Sequence, residues 1–329
     1  MAKPRIGFLG VGWIGRHRMA AMLATGAVEA TAVSDPSPAM VEQALGAAPD
    51  AAVVGSLGAM LELGLDGVVI ATPSALHAEQ SIRALEAGVA VFCQKPLGRD
   101  AGEAAAVVAA ARRADRLLGV DFSYRHTAAM AAIAPLVRGG ELGRVHAIDL
   151  AFHNAYGPDK PWFYDKAQSG GGCVVDLGVH LVDIALWTLG FPKVERVEAT
   201  LLVGGAPLQP GHVEDYAVAT LRLAGGVVVR LACSWRLQAG REAAIEAAFY
   251  GTEGGAALRN VNGSFYDFTA ERFRGTASEL LAVPPDDWGG RAAADWARRL
   301  AAGERFEPAA DQLVTVAATL DRIYAAAQE

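Results

Sequence analysis

The most constraining stretch of this chain is Gly10-Val11-Gly12-Trp13-Ile14-Gly15, which follows the apolar run Ile6–Leu9. That run is short enough for a strand buried in a parallel sheet. A helical pattern opens straight after it, with Ile14, Met19, Met22 and Leu23 on its expected inner face. Strand, glycine turn and helix in that order put a helix N-terminus at the end of a sheet. The first-turn N–H groups there lack intrahelical acceptors and lie at the positive end of the helix dipole, which suits a pyrophosphate. Gly10 permits the tight turn, Gly12 the close approach of a phosphate, and Gly15 the packing of helix on strand, with Trp13 and Ile14 in the same cofactor-facing turn. A glycine turn that binds nothing is the bland alternative.

A second apolar run, Val28–Val33, ends at Ser34-Asp35, with Asp35 about 20 residues after Gly15. A dinucleotide fold places there the carboxylate that accepts hydrogen bonds from the adenosine ribose. Pro36, Ser37 and Pro38 follow, with no Arg or Lys to neutralise a 2′-phosphate, so the charge logic favours NAD, with NADP left open.

Strands and helices then alternate. The pattern predicts a helix at 39–45, a strand at 51–54, a helix at 57–63, and the strand Gly67–Ala71. The helix 75–87 stops at Gly88, and the strand Val89–Cys93 runs into Gln94-Lys95-Pro96. A long Ala-rich helix at 101–114 leads to a sixth strand, Leu117–Phe122. Such alternation implies a doubly wound parallel sheet, in which ligands sit outside the carboxyl ends of the strands. That rule selects the glycine turn, Thr72-Pro73-Ser74 and Gln94-Lys95-Pro96. Thr72 and Ser74 either cap a helix or face the cofactor. His77, in the first turn of the next helix, either touches cofactor or packs. Pro96 holds Lys95 extended at the mouth of the crevice, where an ammonium can bind a substrate hydroxyl.

Beyond Tyr124 the pattern changes. A helix at 127–137 precedes long strand-like segments, Val145–Phe152, Val194–Val203, Val213–Leu223, Val227–Trp235 and Ala244–Tyr250, several of them separated by Gly-Gly turns. This predicts a large, mostly antiparallel sheet with helices on one face, the other face being available to pair subunits. Helices at 292–302 and 309–326 close the chain. The expected division is 1–122 for the dinucleotide-binding domain and 123–329 for a substrate-binding and oligomerisation domain.

Within that second region, Gly170-Gly171-Gly172 leads into a helix expected from Asp176 to Leu189. Asp176, His180 and Asp183 stand at i, i+4 and i+7, on one face of an otherwise apolar helix. Buried ionisable groups need partners. In one reading His180 and Asp183 satisfy each other and Asp176 is a cap. In the other, His180 takes a proton as a hydroxyl carbon gives up hydride, Asp183 orients the imidazole, and Asp176 accepts a substrate hydrogen bond. His180 has no second His at ligand spacing, so no metal is expected.

These residues carry a resemblance. Gly10–Gly15, Ala71-Thr72-Pro73 with His77, Lys95-Pro96, and Gly171-Gly172-x-x-x-Asp176-x-Gly178-x-His180 resemble the glucose–fructose oxidoreductase/inositol dehydrogenase/rhizopine-catabolism (Gfo/Idh/MocA) family over nearly the whole chain. The resemblance implies a Rossmann domain plus an open-faced α/β domain, in homodimers or homotetramers. It also implies NAD(P)-dependent chemistry at a secondary hydroxyl of a sugar or cyclic polyol, with Lys95, Asp176 and His180 as the catalytic trio. The family commonly has Glu where this chain has Gln94, beside the nicotinamide crevice. Substrate choice is expected in the loop containing His153, Asn154, Tyr156, Asp159, Lys160, Trp162, Phe163 and Tyr164, whose aromatics suit either a sugar's C–H face or the loop's own anchoring. Arg125 is placed in contact with substrate or cofactor, or in an ordinary interdomain salt bridge.

Composition limits the alternatives. A length of 329 residues suits two domains, and 52% hydrophobic against 20% charged residues is globular. A formal charge of −7 with no basic stripe speaks against nucleic acid or an anionic membrane as partner. Cys93, Cys173 and Cys233 form no metal or disulfide pattern and read as buried thiols in a reducing compartment. The first strand begins close to Met1 and no uninterrupted apolar run is of membrane-spanning length, so the expectation is a cytoplasmic protein. Two rivals remain: a sensor that binds NAD without turnover, and a biliverdin- or dihydrodiol-type reductase on the same fold.

Overall fold

The computed structural model describes residues 2–328. They form two compact units, one comprising 2–123 with 289–314 and the other 124–288 with 315–328.

In the first unit, β1 (Arg5–Leu9), β2 (Glu29–Ser34), β3 (Ala52–Val53), β4 (Gly67–Ile70), β5 (Ala90–Cys93) and β6 (Leu118–Val120) make a six-stranded sheet in the order β3-β2-β1-β4-β5-β6. Every pairing in it is parallel. The order reverses between β1 and β4, the switch point where ligands bind in such sheets. Helices α1 (Trp13–Ala24), α2 (Pro38–Leu45), α3 (Leu57–Leu61), α4 (Ser74–Glu86) and α5 (Ala101–Ala114) connect the strands. Val68, Val69, Val91 and Phe92 are almost fully buried, as expected for strands covered on both faces.

A single cut after residue 122 misses one return of the chain. Helix α6 (Ala128–Arg138) belongs to the second unit, whereas a later helix, Arg291–Ala301, packs into the core of the first through Ala293, Trp296 and Ala297. Trp296 explains two glycines inside strands. A Cβ at Gly67 would lie 2.7 Å from its indole and one at Gly119 2.6 Å, so both positions must be bare for the ring to lie beside Phe92.

The second unit is built on a nine-stranded sheet formed by β7 (Val145–Asn154), β8 (Val194–Val203), β9 (Ala206–Pro207), β10 (Tyr216–Leu223), β11 (Val228–Ser234), β12 (Ala243–Gly251), β13 (Gly255–Asn260), β14 (Phe268–Arg274) and β15 (Ala277–Ala282). All pairs are antiparallel except β7 with β11. Along β10, Ala217, Ala219, Leu221 and Leu223 are buried while Val218 and Arg222 are exposed, so one face is covered and the other open. Between β7 and β8 the chain passes through a short α7 (Lys166–Ser169), a π-helical turn (Val174–Gly178) and α8 (Val179–Thr188), and after the sheet through α9 (Arg291–Ala301) and α10 (Asp311–Ala326).

The segment Lys166–Thr188 corrects one expectation, because it is long and apolar enough to cross a bilayer. Of its most apolar 18-residue window, 89% is buried, as in the core segment of a folded domain. All three cysteines are buried and unbridged.

Candidate active site

The glycine turn is fixed by close contacts on two sides. Gly10 has φ +84, and a Cβ there would sit 2.4 Å from the Ala71 carbonyl oxygen, so only glycine fits. At Gly15 a Cβ would lie 2.1 Å from the Gly10 carbonyl oxygen, which brings α1 tight against the turn. Gly12 differs, since a Cβ there would meet nothing within 4 Å. Packing alone does not demand glycine at Gly12, whereas a phosphate approaching the backbone does. No side chain caps α1 and no acidic residue stands in its first turn, so its N-terminus keeps its positive end for an anion. The turn therefore fits a dinucleotide. Trp13 is 55% exposed and stacks on His17, with ring centroids 6.0 Å apart.

Asp35 ends β2 beside this turn. Its Oδ2 accepts the Val11 N–H at 2.9 Å and its Oδ1 the Ser37 N–H at 2.9 Å. The carboxylate thus holds the glycine turn and the start of α2 together, a task the sequence did not reveal. Arg16 is also nearby, its guanidinium donating to the Val11 carbonyl at 2.8 Å.

After β4, Thr72 donates its hydroxyl to Gln80 Oε1 at 2.6 Å, and α4 begins without a side-chain cap, which corrects the capping expectation for Thr72 and Ser74. Pro73 is the residue just before that helix. His77 is buried, with Nδ1 2.7 Å from the Pro96 carbonyl oxygen and Nε2 2.7 Å from that of Thr72. Burial holds its pKa below the ordinary histidine value, against the two carbonyls that raise it. A neutral ring has one N–H and so donates to one carbonyl at a time. Turned inward, His77 ties the loop after β4 to Pro96. Lys95 is half-buried at the end of β5, joined to Pro96 by a cis peptide bond.

Gln94 has a clear partner. Its Nε2 donates to Asp121 Oδ2 at 2.8 Å, and the same oxygen accepts Arg18 Nε–H at 2.6 Å. Asp121 is 1% exposed. A buried carboxylate is thus present next to position 94 but is carried by Asp121, and Gln94 is the donor that matches it.

In the second unit, Gly170-Gly171-Gly172 is shaped by Glu214, which lies before β10 and is fully buried. Its carboxylate accepts the Gly172 N–H at 3.0 Å, the Val174 N–H at 2.9 Å and the Tyr324 hydroxyl at 2.8 Å. A Cβ on Gly172 would lie 1.9 Å from the Glu214 carbonyl oxygen, and one on Gly171 1.9 Å from the Tyr324 hydroxyl. Close packing dictates these two glycines. Burial raises the Glu214 pKa, opposed by the N–H and hydroxyl donors.

The turn delivers Asp176 inside the π-helical turn and His180 in the first turn of α8. The expected α-helix over 176–189 is thereby corrected, since the wider π-turn shifts the phase between Asp176 and the residues of α8. Asp176 Oδ2 accepts Trp235 Nε1–H at 3.0 Å. His180 is buried against Tyr124, with ring centroids 4.8 Å apart, and Tyr124 also packs on Trp288 at 4.9 Å and Phe152 at 5.7 Å. Asp183 does not orient the imidazole as expected. Both its oxygens pair with Arg125, Oδ2 accepting Nε–H at 2.8 Å and Oδ1 accepting from the NH2 nitrogen. Burial pushes the Asp183 pKa up and outweighs the lowering by Arg125. Arg125 also lies over the Trp187 and Phe191 rings, and its ion pair with Asp183 lies within its own unit.

The loop after β7 is partly anchored by its own side chains. Asn154 Oδ1 accepts the Gly157 N–H at 3.0 Å, Trp162 stacks on Phe163 at 3.8 Å, and Tyr164 packs on Trp235 at 5.5 Å. Tyr156 is 60% exposed and donates to Glu242 Oε1 at 3.1 Å. Trp235 therefore joins this loop to Asp176. It was missed because a tryptophan at a strand end reads as core. Among the described residues no group of three His, Cys, Asp or Glu is arranged to hold a metal.

Comparison with known proteins matches the oxidoreductase family with an NAD-binding Rossmann fold over residues 4–122, and the GFO/IDH/MocA C-terminal domain over 130–257. The chain belongs to the Gfo/Idh/MocA oxidoreductase family. Levoglucosan dehydrogenase of Pseudarthrobacter phenanthrenivorans is 33% identical over 213 residues, covering 57% of this chain and 53% of that protein. Inositol 2-dehydrogenase of Rhizobium meliloti is 28% identical over 258 residues, covering 78% of this chain and 76% of that protein. A solved levoglucosan dehydrogenase in complex with NADH and L-sorbose superposes with a TM-score of 0.86 at 22% identity, covering 100% of this chain and 97% of the other, which shows the shared fold. The chain spans 53–58% of the length of three curated relatives it matches strongly.

Proposed function

We propose that this chain is an NAD-preferring dehydrogenase that interconverts a secondary alcohol of a sugar, sugar derivative or cyclic polyol with the ketone. The carrying observation is a phosphate-ready glycine turn in one unit, together with Asp176 and His180 presented on a rigidly held segment of the other. NAD, which the glycine turn of Gly10–Gly15 and Asp35 would hold, would supply the acceptor for the carbinol hydride. His180 takes the hydroxyl proton at a ring nitrogen and Asp176 accepts a hydrogen bond from a neighbouring hydroxyl while Trp235 holds it in place; Lys95 is assigned to substrate binding from the family resemblance. The substrate class agrees with the names of the relatives, a levoglucosan dehydrogenase and an inositol dehydrogenase among them. Asn154, Tyr156 and Trp162 are assigned to substrate contact, and Thr72, Pro73 and Gln94 to the cofactor side. The expected assembly is a homodimer or homotetramer paired through the open face of the nine-stranded sheet.

The test mixes purified protein with NAD or NADP and a panel of sugars and inositols, following absorbance of the reduced nicotinamide. The reading expects growth with one substrate class and faster turnover with NAD. Tight NAD binding with no turnover across the panel would favour a sensor.

A further inference from the structure

The second unit contains a cleft of 540 Å³ whose walls include Glu242, Asn262, Phe265, Tyr266, Asp267 and Pro285. This volume falls within the roughly 300–1,000 Å³ typical of small-molecule sites. We propose that the cleft is a subsite for the second ring of a two-ring glycoside, the part of the substrate away from the reacting carbon. The proposal rests on reading the chain as a carbohydrate dehydrogenase.

Two connections tie the cleft to the segment carrying Asp176 and His180. On one side, Trp288 Nε1–H donates to the Tyr266 carbonyl at 2.8 Å, and Trp288 packs on Tyr124, the ring that lies against His180. The Tyr124 hydroxyl is held well above its usual pKa by burial first, then by the Tyr266 phenol and the Asp176 carboxylate, so these groups share one electrostatic neighbourhood. On the other side, Glu242 accepts the hydroxyl of Tyr156, in the loop assigned to substrate.

The walls match what a pyranose ring offers, a C–H face and a rim of hydroxyls. Phe265, Tyr266 and Pro285 provide apolar surface, and Tyr266 is 54% exposed. Glu242 and Asp267 provide acceptors. Among the described residues one oxygen of each is engaged, Glu242 Oε1 by Tyr156 and Asp267 Oδ2 by the Ser264 hydroxyl at 2.9 Å, which leaves the other oxygen of each carboxylate for donors on a ligand. Two carboxylates disfavour phosphorylated or uronic rings through like-charge repulsion. The occupant is a ring bearing hydroxyl or ammonium donors.

The experiment compares the full chain with Tyr266→Ala and Glu242→Gln variants. It reads steady-state kinetics on one-ring sugars and on disaccharides, neutral and amino-substituted, with calorimetric disaccharide binding in the presence of NADH. Tyr266→Ala should raise KM and Kd for disaccharides by about five- to tenfold through lost ring contact, leaving kcat and one-ring kinetics within about twofold. A larger Glu242→Gln effect on the amino-substituted disaccharide identifies a cationic ring; equal effects identify a neutral one. Equal losses on one-ring and two-ring substrates in Tyr266→Ala would overturn the subsite, as would disaccharides that fail to bind the wild type. Disaccharide binding that weakens in Tyr266→Ala, with no turnover of any carbohydrate, would sustain the cleft and overturn the dehydrogenase reading.

Discussion

Gln94→Glu restores the residue common in the family, and in this chain it should be harmful. The amide it removes donates to Asp121 Oδ2 at 2.8 Å, so a carboxylate at that position would face another carboxylate that is 1% exposed. A hydrogen bond to a charged acceptor, about 1.5–3 kcal/mol, is lost. Two unit charges ~3 Å apart repel by roughly 5 kcal/mol at an effective dielectric of 20. Arg18, bonded to the same oxygen, offsets part of this, and uptake of one proton by the pair relieves most of the rest. The expected net loss at pH 7 is about 2–4 kcal/mol. Between the ordinary carboxylate range and neutrality, the folded variant binds more protons than the unfolded one. Its stability therefore falls as pH rises, and the deficit is smaller at pH 5 than at pH 7. Urea unfolding of the wild type, Gln94→Glu, Asp121→Asn and the double variant measures this. The double variant lets Arg18 pair with the new carboxylate and should recover at least about 2 kcal/mol of coupling. A Gln94→Glu protein within about 0.5 kcal/mol of wild type at pH 7 would refute the reasoning.

Other substitutions test separate parts of the account. Asp35→Ala should weaken NAD about tenfold or more and NADP less, read by fluorescence titration; equal losses would assign Asp35 to holding the Val11 and Ser37 N–H groups alone. Arg125→Met leaves the Asp183 carboxylate buried without its bidentate partner and should cost about 3–5 kcal/mol at neutral pH. Because the Asp183 pKa is already raised, the deficit should shrink on acidification toward the ordinary carboxylate range; a pH-independent deficit in chemical unfolding would contradict this. Gly172→Ala drives a methyl group to 1.9 Å from the Glu214 carbonyl oxygen and should destabilise by about 1–3 kcal/mol, with a larger fractional loss of turnover than of NAD binding.

Local pattern made the first unit legible. Short apolar strands, a glycine turn and an acid after β2 are features of neighbouring residues, and they gave the strand sequence and the cofactor turn. The second unit was read less well wherever structure depends on distant partners. Strands β13 to β15 went unrecognised because Gly255–Asn260, Phe268–Arg274 and Ala277–Ala282 are rich in Ala, Glu and Arg and take strand form from pairing with β12 onward. Glu214 gave no signal, since the N–H groups it satisfies lie about forty residues earlier in the chain. Asp183 was paired with His180 from helix spacing, whereas its partner Arg125 comes from a different element. Likewise Gln94 reads in the sequence as a missing charge, whereas Asp121 from a distant strand end supplies a carboxylate beside it.

The most direct test of the central claim is the effect of His180→Ala on the panel substrate that gives the fastest turnover with NAD, NADH affinity and circular dichroism being measured on the same sample. The account predicts a fall in kcat of about 10²–10⁴-fold, with the fold and NADH binding unchanged. Turnover within a few fold of wild type in a folded, NADH-binding variant would contradict it and remove His180 from the chemistry.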